Sequence, residues 1–148
     1  MNVSDSYKEN VSNLFGMVSF FSIFSGPLPP SADSAPTGEM LCDVFGPLTD
    51  GQAENAFAVV GGQLRLAVGT WSYDGGYHQQ YVDAPVLASG QAGYARVEIT
   101  PLAAELAPFT LDIPLTLPGG QGIVVPTLDF LAGQTLRIER NQISFAVF

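Results

Sequence analysis

Charge is scarce in this chain. Of 148 residues only 13% are Asp, Glu, Lys or Arg, roughly half the usual share. Positive charge is scarcest: Lys8 is the sole lysine beside four arginines, against 14 acids, for a net charge of −9. A nucleic-acid partner is excluded on that balance, because binding phosphates needs clustered Lys and Arg. Cys42 is the only cysteine, which rules out an intrachain disulfide and a zinc site of the CxxC type. Long apolar runs are also missing. The longest, Leu14 to Phe24, has 11 residues including two serines, too short to cross a bilayer. The segment before it carries Asp5, Lys8 and Glu9 rather than the positive charge that opens an export signal. The expectation is a chain made and folded in a reducing cytoplasm, with no membrane partner.

Helical periodicity is scarce too, and what is present instead is punctuation. There are 16 glycines and 11 prolines, set between short apolar runs as turns between strands are. Met17 to Phe24 is rich in aromatic and β-branched residues and stops at Ser25-Gly26-Pro27 and Pro29-Pro30, where proline density ends a strand. Glu39 to Phe45 follows the small polar segment Ser31 to Gly38. Gly61-Gly62 marks a turn before Gln63 to Trp71, where Leu64, Leu66 and Val68 alternate with Gln63, Arg65 and Ala67, a period of two with one face buried.

Tyr77 to Leu87 reads as an edge or bulged strand because of Pro85. In Ala92 to Thr100, Ala95, Val97 and Ile99 face one way and Tyr94, Arg96 and Glu98 the other. Phe109 to Leu117 alternates most clearly, and Pro114 on its polar face demotes it toward an edge. Ile123 to Val125 is a short strand, and Thr135 to Arg140 with Gln142 to Phe148 reads as a closing hairpin around Arg140-Asn141. Only Pro101 to Leu106 invites a helical turn. Eight to ten short strands at this spacing predict an all-β chain, an antiparallel sandwich of jelly-roll or immunoglobulin-like type over residues 14–148, with residues 1–13 as a polar N-terminal arm. A chain of this length buries roughly 70% of its unfolded surface.

Residues with chemical potential are few and isolated. His78, the single histidine, lies four residues from Asp74 but has no second histidine or free nucleophile beside it in the sequence, so it reads as structural. Cys42 stands in the apolar run Met40 to Phe45 and reads as a small buried hydrophobe. Acid pairs such as Glu98 and Glu105 could serve a glycosidase, but 14 acids supply such pairs by chance. Asp74-Gly75-Gly76 lacks the alternate acids of a calcium loop. Gly119-Gly120-Gln121-Gly122 lacks the Lys-Ser/Thr of a phosphate-binding loop and reads as a turn. Neither a metal nor a cofactor is expected. Asp33, Glu39, Asp43, Asp50 and Glu54 follow one another with no basic residue between them, which suggests an acidic surface region. Trp71, Tyr73, Tyr77 and Tyr81 could stack on a sugar, although aromatics on strands more often pair with one another.

One segment goes further. Ile23 to Cys42 (IFSGPLPPSADSAPTGEMLC) resembles small virion-associated proteins of tailed bacteriophages and prophages, through Phe24-Ser25-Gly26, Pro30, Ala32-Asp33-Ser34-Ala35, Thr37-Gly38 and Leu41. Ser89 to Arg96 and Ala132 to Ile138 match further stretches of that pattern, in the right order, and the three together cover about a quarter of the chain. The middle departs from it, since Arg96 leads into Pro101-Leu102-Ala103-Ala104 rather than an Asp-Gly turn. The resemblance implies a β-sandwich virion component and carries over no catalytic residue. It points to Gly26, Gly38 and Gly90 as backbone requirements and to Asp33 as a cap of its own loop through an Asx-turn.

The expectation is therefore a non-enzymatic protein of the virion, foremost a decoration or cement protein on the outer capsid face. Its partners would be the major capsid protein or other virion proteins, and it would form a homo-oligomer. A head-to-tail or tail accessory protein and a carbohydrate-binding module are the alternatives. The partner surface is expected in the uncharged stretch from Asn10 to Ser31, at Phe20, Phe21, Phe24, Pro27, Leu28, Pro29 and Pro30.

Overall fold

The computed structural model describes Ser4 and residues 17–44, 57–60, 63–66, 81–101, 105–120, 122–139 and 143–145. Every regular element among them is a strand. In chain order these are β1 (Met17–Phe24), β2 (Met40–Asp43), β3 (Phe57–Val60), β4 (Gln63–Leu66), β5 (Tyr81–Pro85), β6 (Gly90–Gln91), β7 (Tyr94–Thr100), β8 (Phe109–Thr116), β9 (Gly122–Val124), β10 (Asp129–Phe130), β11 (Thr135–Glu139) and β12 (Ile143–Phe145). Five of them form a mixed sheet in the order β2-β1-β7-β8-β9, which continues through β12 to β4 and β3. Two small antiparallel pairs, β10–β6 and β11–β5, stand beside it.

Alternation along the central strands decides which side is core. Phe21 and Ile23 of β1, Ala95, Val97 and Ile99 of β7, Ile113 and Leu115 of β8 and Ile123 of β9 belong to one buried cluster. Ala84 and Val86 at β5, Phe130 of β10 and Leu136 of β11 belong to the same cluster. Full burial of each large side chain among these contributes roughly 1.5–3 kcal/mol. At β2 the alternation breaks. Ile23 pairs with Cys42 but Phe24 pairs with Met40, a bulge that leaves Leu41 as the extra residue. Leu41 and Cys42 are consequently both buried in the core. A bridge between Cys42 and Val86 then ties the β2 edge to the β11–β5 pair.

The sequence expectations need four corrections. The sheet is not wholly antiparallel, because β8 and β9 run parallel, pairing Leu115 with Ile123 and Thr116 with Val124. Only residues 117–121 join them, where parallel neighbours usually need a dozen or more. A turn closed by the Gly120 N–H on the Leu117 carbonyl reverses the chain, and Gly122 at φ +122° reverses it again. Second, β8 is an interior strand despite Pro114. The Leu115 N–H points toward the β7 side, donating to the carbonyl of Gly93 just before that strand, so the proline nitrogen faces the opposite side, at a level that β9 leaves unpaired. Third, the expected closing hairpin is not formed among the described residues: β11 pairs with β5, and β12 pairs with β4 and β9. Fourth, β3, β6 and β10 were not expected; β3 and β4 pair, with Val60 opposite Gln63, and the anticipated Gly61-Gly62 turn lies outside the described residues. The arm 1–13, apart from Ser4, and residues 102–104 of the proposed helical turn at 101–106 lie outside the described residues.

Candidate functional site

The connection from β1 to β2, residues 25–39, lies against the sheet face opposite the main core. It starts as a narrow ladder. The Ser25 N–H donates to the Glu39 carbonyl at 2.9 Å, and the Glu39 N–H donates to Ser25 Oγ at 2.9 Å. Gly26 and Gly38 make this closeness feasible: a Cβ on Gly26 would lie 2.6 Å from the Thr37 carbonyl carbon, and Gly38 holds φ at +74°, a region that favours glycine. Gly90, by contrast, would bring a Cβ no closer than 3.1 Å, to the end of the Leu41 side chain, so of the three expected glycines it is the least demanding. The tip turns through Ser31 to Ser34, with the Ser34 N–H on the Ser31 carbonyl. Here the cap is Ser31, not Asp33: Ser31 Oγ accepts the Asp33 N–H at 3.1 Å, a Ser turn in place of the Asx-turn.

Two side chains of β7 hold this connection down. The Tyr94 hydroxyl accepts the Thr37 N–H at 2.8 Å and donates to the Thr37 carbonyl at 3.2 Å. Thr37 Oγ1 in turn donates to the Pro27 carbonyl. Arg96 gives one guanidinium N–H to the Ser34 carbonyl at 2.7 Å and two, each at 2.8 Å, to the Asp112 carboxylate. That forked hydrogen bond to Asp112 keeps the guanidinium proton even more firmly than usual. Beside it, Ser22 Oγ donates to Asp43 at 2.9 Å. Asp43, Ser22, Arg96 and Asp112 are consecutive cross-strand neighbours, so a polar row crosses four strands of this face. Phe24 and Tyr94, also neighbours across strands, stack with ring centroids 5.5 Å apart.

The expected partner residues therefore divide. Phe21 is in the main core, and Phe24 is buried against Tyr94; neither can meet a partner. Pro29 is buried as well. Pro27, Leu28 and Pro30 are exposed, with Leu28 retaining about half of its surface. Phe20 has its backbone in β1, with its side chain outside the described part. Among the sugar-stacking candidates, Trp71, Tyr73 and Tyr77 lie outside the described residues, and for Tyr81 only a backbone place in β5 is given. His78, Asp50, Glu54 and the Asp74-Gly75-Gly76 turn are outside as well. Glu105 is exposed and Glu98 is half-buried on β7.

Sequence reasoning missed Tyr94 and Arg96 as organisers of this surface. Alternation assigns them to a solvent face, and nothing local says that fifteen residues from elsewhere will cover it. The one available signal was the pairing of Gly26 with Gly38 across a proline-rich segment. Chemically the face is quiet. Arg96 is neutralised, Ser22 and Asp43 satisfy one another, and among the described residues no three of His, Cys, Asp and Glu gather as metal ligands. Cys42 is buried with its Sγ 3.4 Å from the Pro85 carbonyl, and burial, helped by Asp43, pushes the thiol pKa up to about 11, the opposite of an activated nucleophile. Comparison with protein-family models, with curated proteins and with solved structures finds no match.

Proposed function

We propose that the protein is a non-enzymatic virion component of a tailed phage or prophage, a decoration or cement protein that binds the outer face of the head. In this reading the mixed sheet and the two small pairs form a β-sandwich, jelly-roll or immunoglobulin-like, which the burial of Ala84, Val86 and Leu136 in one cluster with the central sheet supports. One observation carries the reading. The residues that resemble virion proteins, Phe24-Ser25-Gly26, Ala32 to Ala35 and Thr37-Gly38, are those that build the pinned β1–β2 connection. Such a ledge presents Pro27, Leu28 and Pro30 at little ordering cost on binding.

The acidic balance supports an outer location, since a net charge of −9 repels packaged DNA. Binding assembled lattice in preference to free subunits stabilises the shell by mass action, and the copies would follow the lattice symmetry. The test is particle copurification with copy counting by quantitative mass spectrometry. Hundreds of copies per particle are expected. A count of about 6 to 12 would mean a neck or tail ring instead, and absence from purified particles would overturn the virion reading.

A further inference from the structure

We propose that the β1–β2 ledge docks through Leu28 onto a basic protein surface containing an apolar socket. The inference rests on the virion reading and names the contact that reading requires. Leu28 sits between exposed Pro27 and Pro30, whose rings restrict the backbone. The ladder at Ser25 and Glu39, the Thr37–Pro27 bond and the Tyr94 and Arg96 attachments hold its base. Met40, exposed, lies opposite Phe24 in the pairing of β1 with β2, and so beside the ledge. An apolar group held in place this way inserts without losing loop entropy.

Charge selects the occupant. Asp33 and Glu39, both exposed, flank the ledge on the same connection. The two arginines whose side chains are described, Arg96 and Arg137, are each engaged with an aspartate. The connection therefore carries two exposed carboxylates, Asp33 near its tip and Glu39 at its base, together with an exposed apolar residue. A second copy of this chain, at net charge −9, meets it with like charge, whereas a Lys- and Arg-bearing protein surface complements it and is steered toward it.

Particles from the encoding cell, grown with the gene deleted, are mixed with purified protein and sedimented at about 50 and about 300 mM salt, a rise that shortens the screening length about 2.5-fold. Wild type is expected to bind and to weaken at the higher salt. Leu28→Asp should lose binding by tenfold or more at both. Asp33→Asn with Glu39→Gln should lose severalfold at low salt only. All three positions are exposed, so unfolding midpoints should match wild type; Leu28→Ala is a milder companion should Leu28→Asp fail that control. Particle binding by Leu28→Asp equal to wild type, or wild-type binding indifferent to salt, overturns this inference and leaves the virion reading standing. No binding by wild type overturns both. Self-association of the protein alone that Leu28→Asp abolishes would assign the ledge to a second copy and overturn the basic partner.

Discussion

Tyr94 is among the largest fully buried side chains, yet it lies on the sheet face that alternation assigns to solvent. Its ring stacks on Phe24 and its hydroxyl closes on both backbone groups of Thr37. Tyr94→Phe keeps the ring and leaves the Thr37 amide without that partner, so stability should fall by about 1–3 kcal/mol. Hydrogen exchange at Thr37 should accelerate beyond that at Val97 in the same strand neighbourhood; equal acceleration at both would mean that the hydroxyl does not hold the connection. The two arginine ion pairs make a second contrast. Arg96 and Asp112 are largely buried, with side-chain exposures of 12% and 8%, and Asp112→Ala removes two of the guanidinium's three hydrogen bonds, leaving it the Ser34 carbonyl and the Asp33 charge, at a cost of about 1.5–3 kcal/mol. Arg137 and Asp83 are exposed. The hydrogen bond from Arg137 lowers the Asp83 pKa, but water screens the pair, and Asp83→Ala should leave the melting temperature unchanged within error.

At the scale of elements, the strands most legible in the sequence were those with one face in the core. Met17 to Phe24 was anticipated to the residue from its aromatic and β-branched content, and β7 and β8 nearly so, because period-two burial writes itself into residue type. Partners were not legible. Nothing in Thr135 to Glu139 distinguishes pairing with β5 from pairing with β12, since backbone hydrogen bonding is blind to side-chain identity. The parallel β8–β9 step was hidden for the same reason, although Gly122 marks it in retrospect. Gly122→Ala places a Cβ against the Pro114 carbonyl at a backbone angle that disfavours it and should destabilise the protein by about 1–3 kcal/mol. Gly119→Ala meets no neighbour, although it too has a positive φ, and should cost less; thermal unfolding of the two variants provides the comparison. At the candidate surface, Leu28 and its flanking prolines were legible as apolar and turn-rich. The burial of Pro29, Phe24 and Phe21 was not, because it depends on which face the connection folds over.

For the molecule as a whole, the buried thiol links stability to alkaline pH. The Cys42 pKa rises from an ordinary 9.0 to about 11 in the fold. As pH climbs past 9 the unfolded chain loses this proton while the folded chain keeps it, so the unfolded state binds fewer protons and stability declines. The loss begins at the unfolded value and is complete above about 11, amounting to at most about 2–3 kcal/mol. Denaturant midpoints between pH 8 and 11 should fall for wild type and fall less for Cys42→Ala. A thiol reagent at pH 8 should label the protein only as fast as it opens.

The polar row across the sheet has one more consequence, for errors in assembly. Arg96 meets Asp112 and Ser22 meets Asp43 only when four strands are aligned as they are. Sliding β8 by two residues against β7 would keep the apolar side chains inward but set Arg96 opposite Thr110 or Pro114, stranding a carboxylate in a poorly hydrated place. The apolar face alone tolerates that slip, since Leu111, Ile113 and Leu115 can stand in for one another. The row thus acts as a proofreading ruler, penalising the mispaired sheets that a core of interchangeable aliphatic residues would otherwise accept.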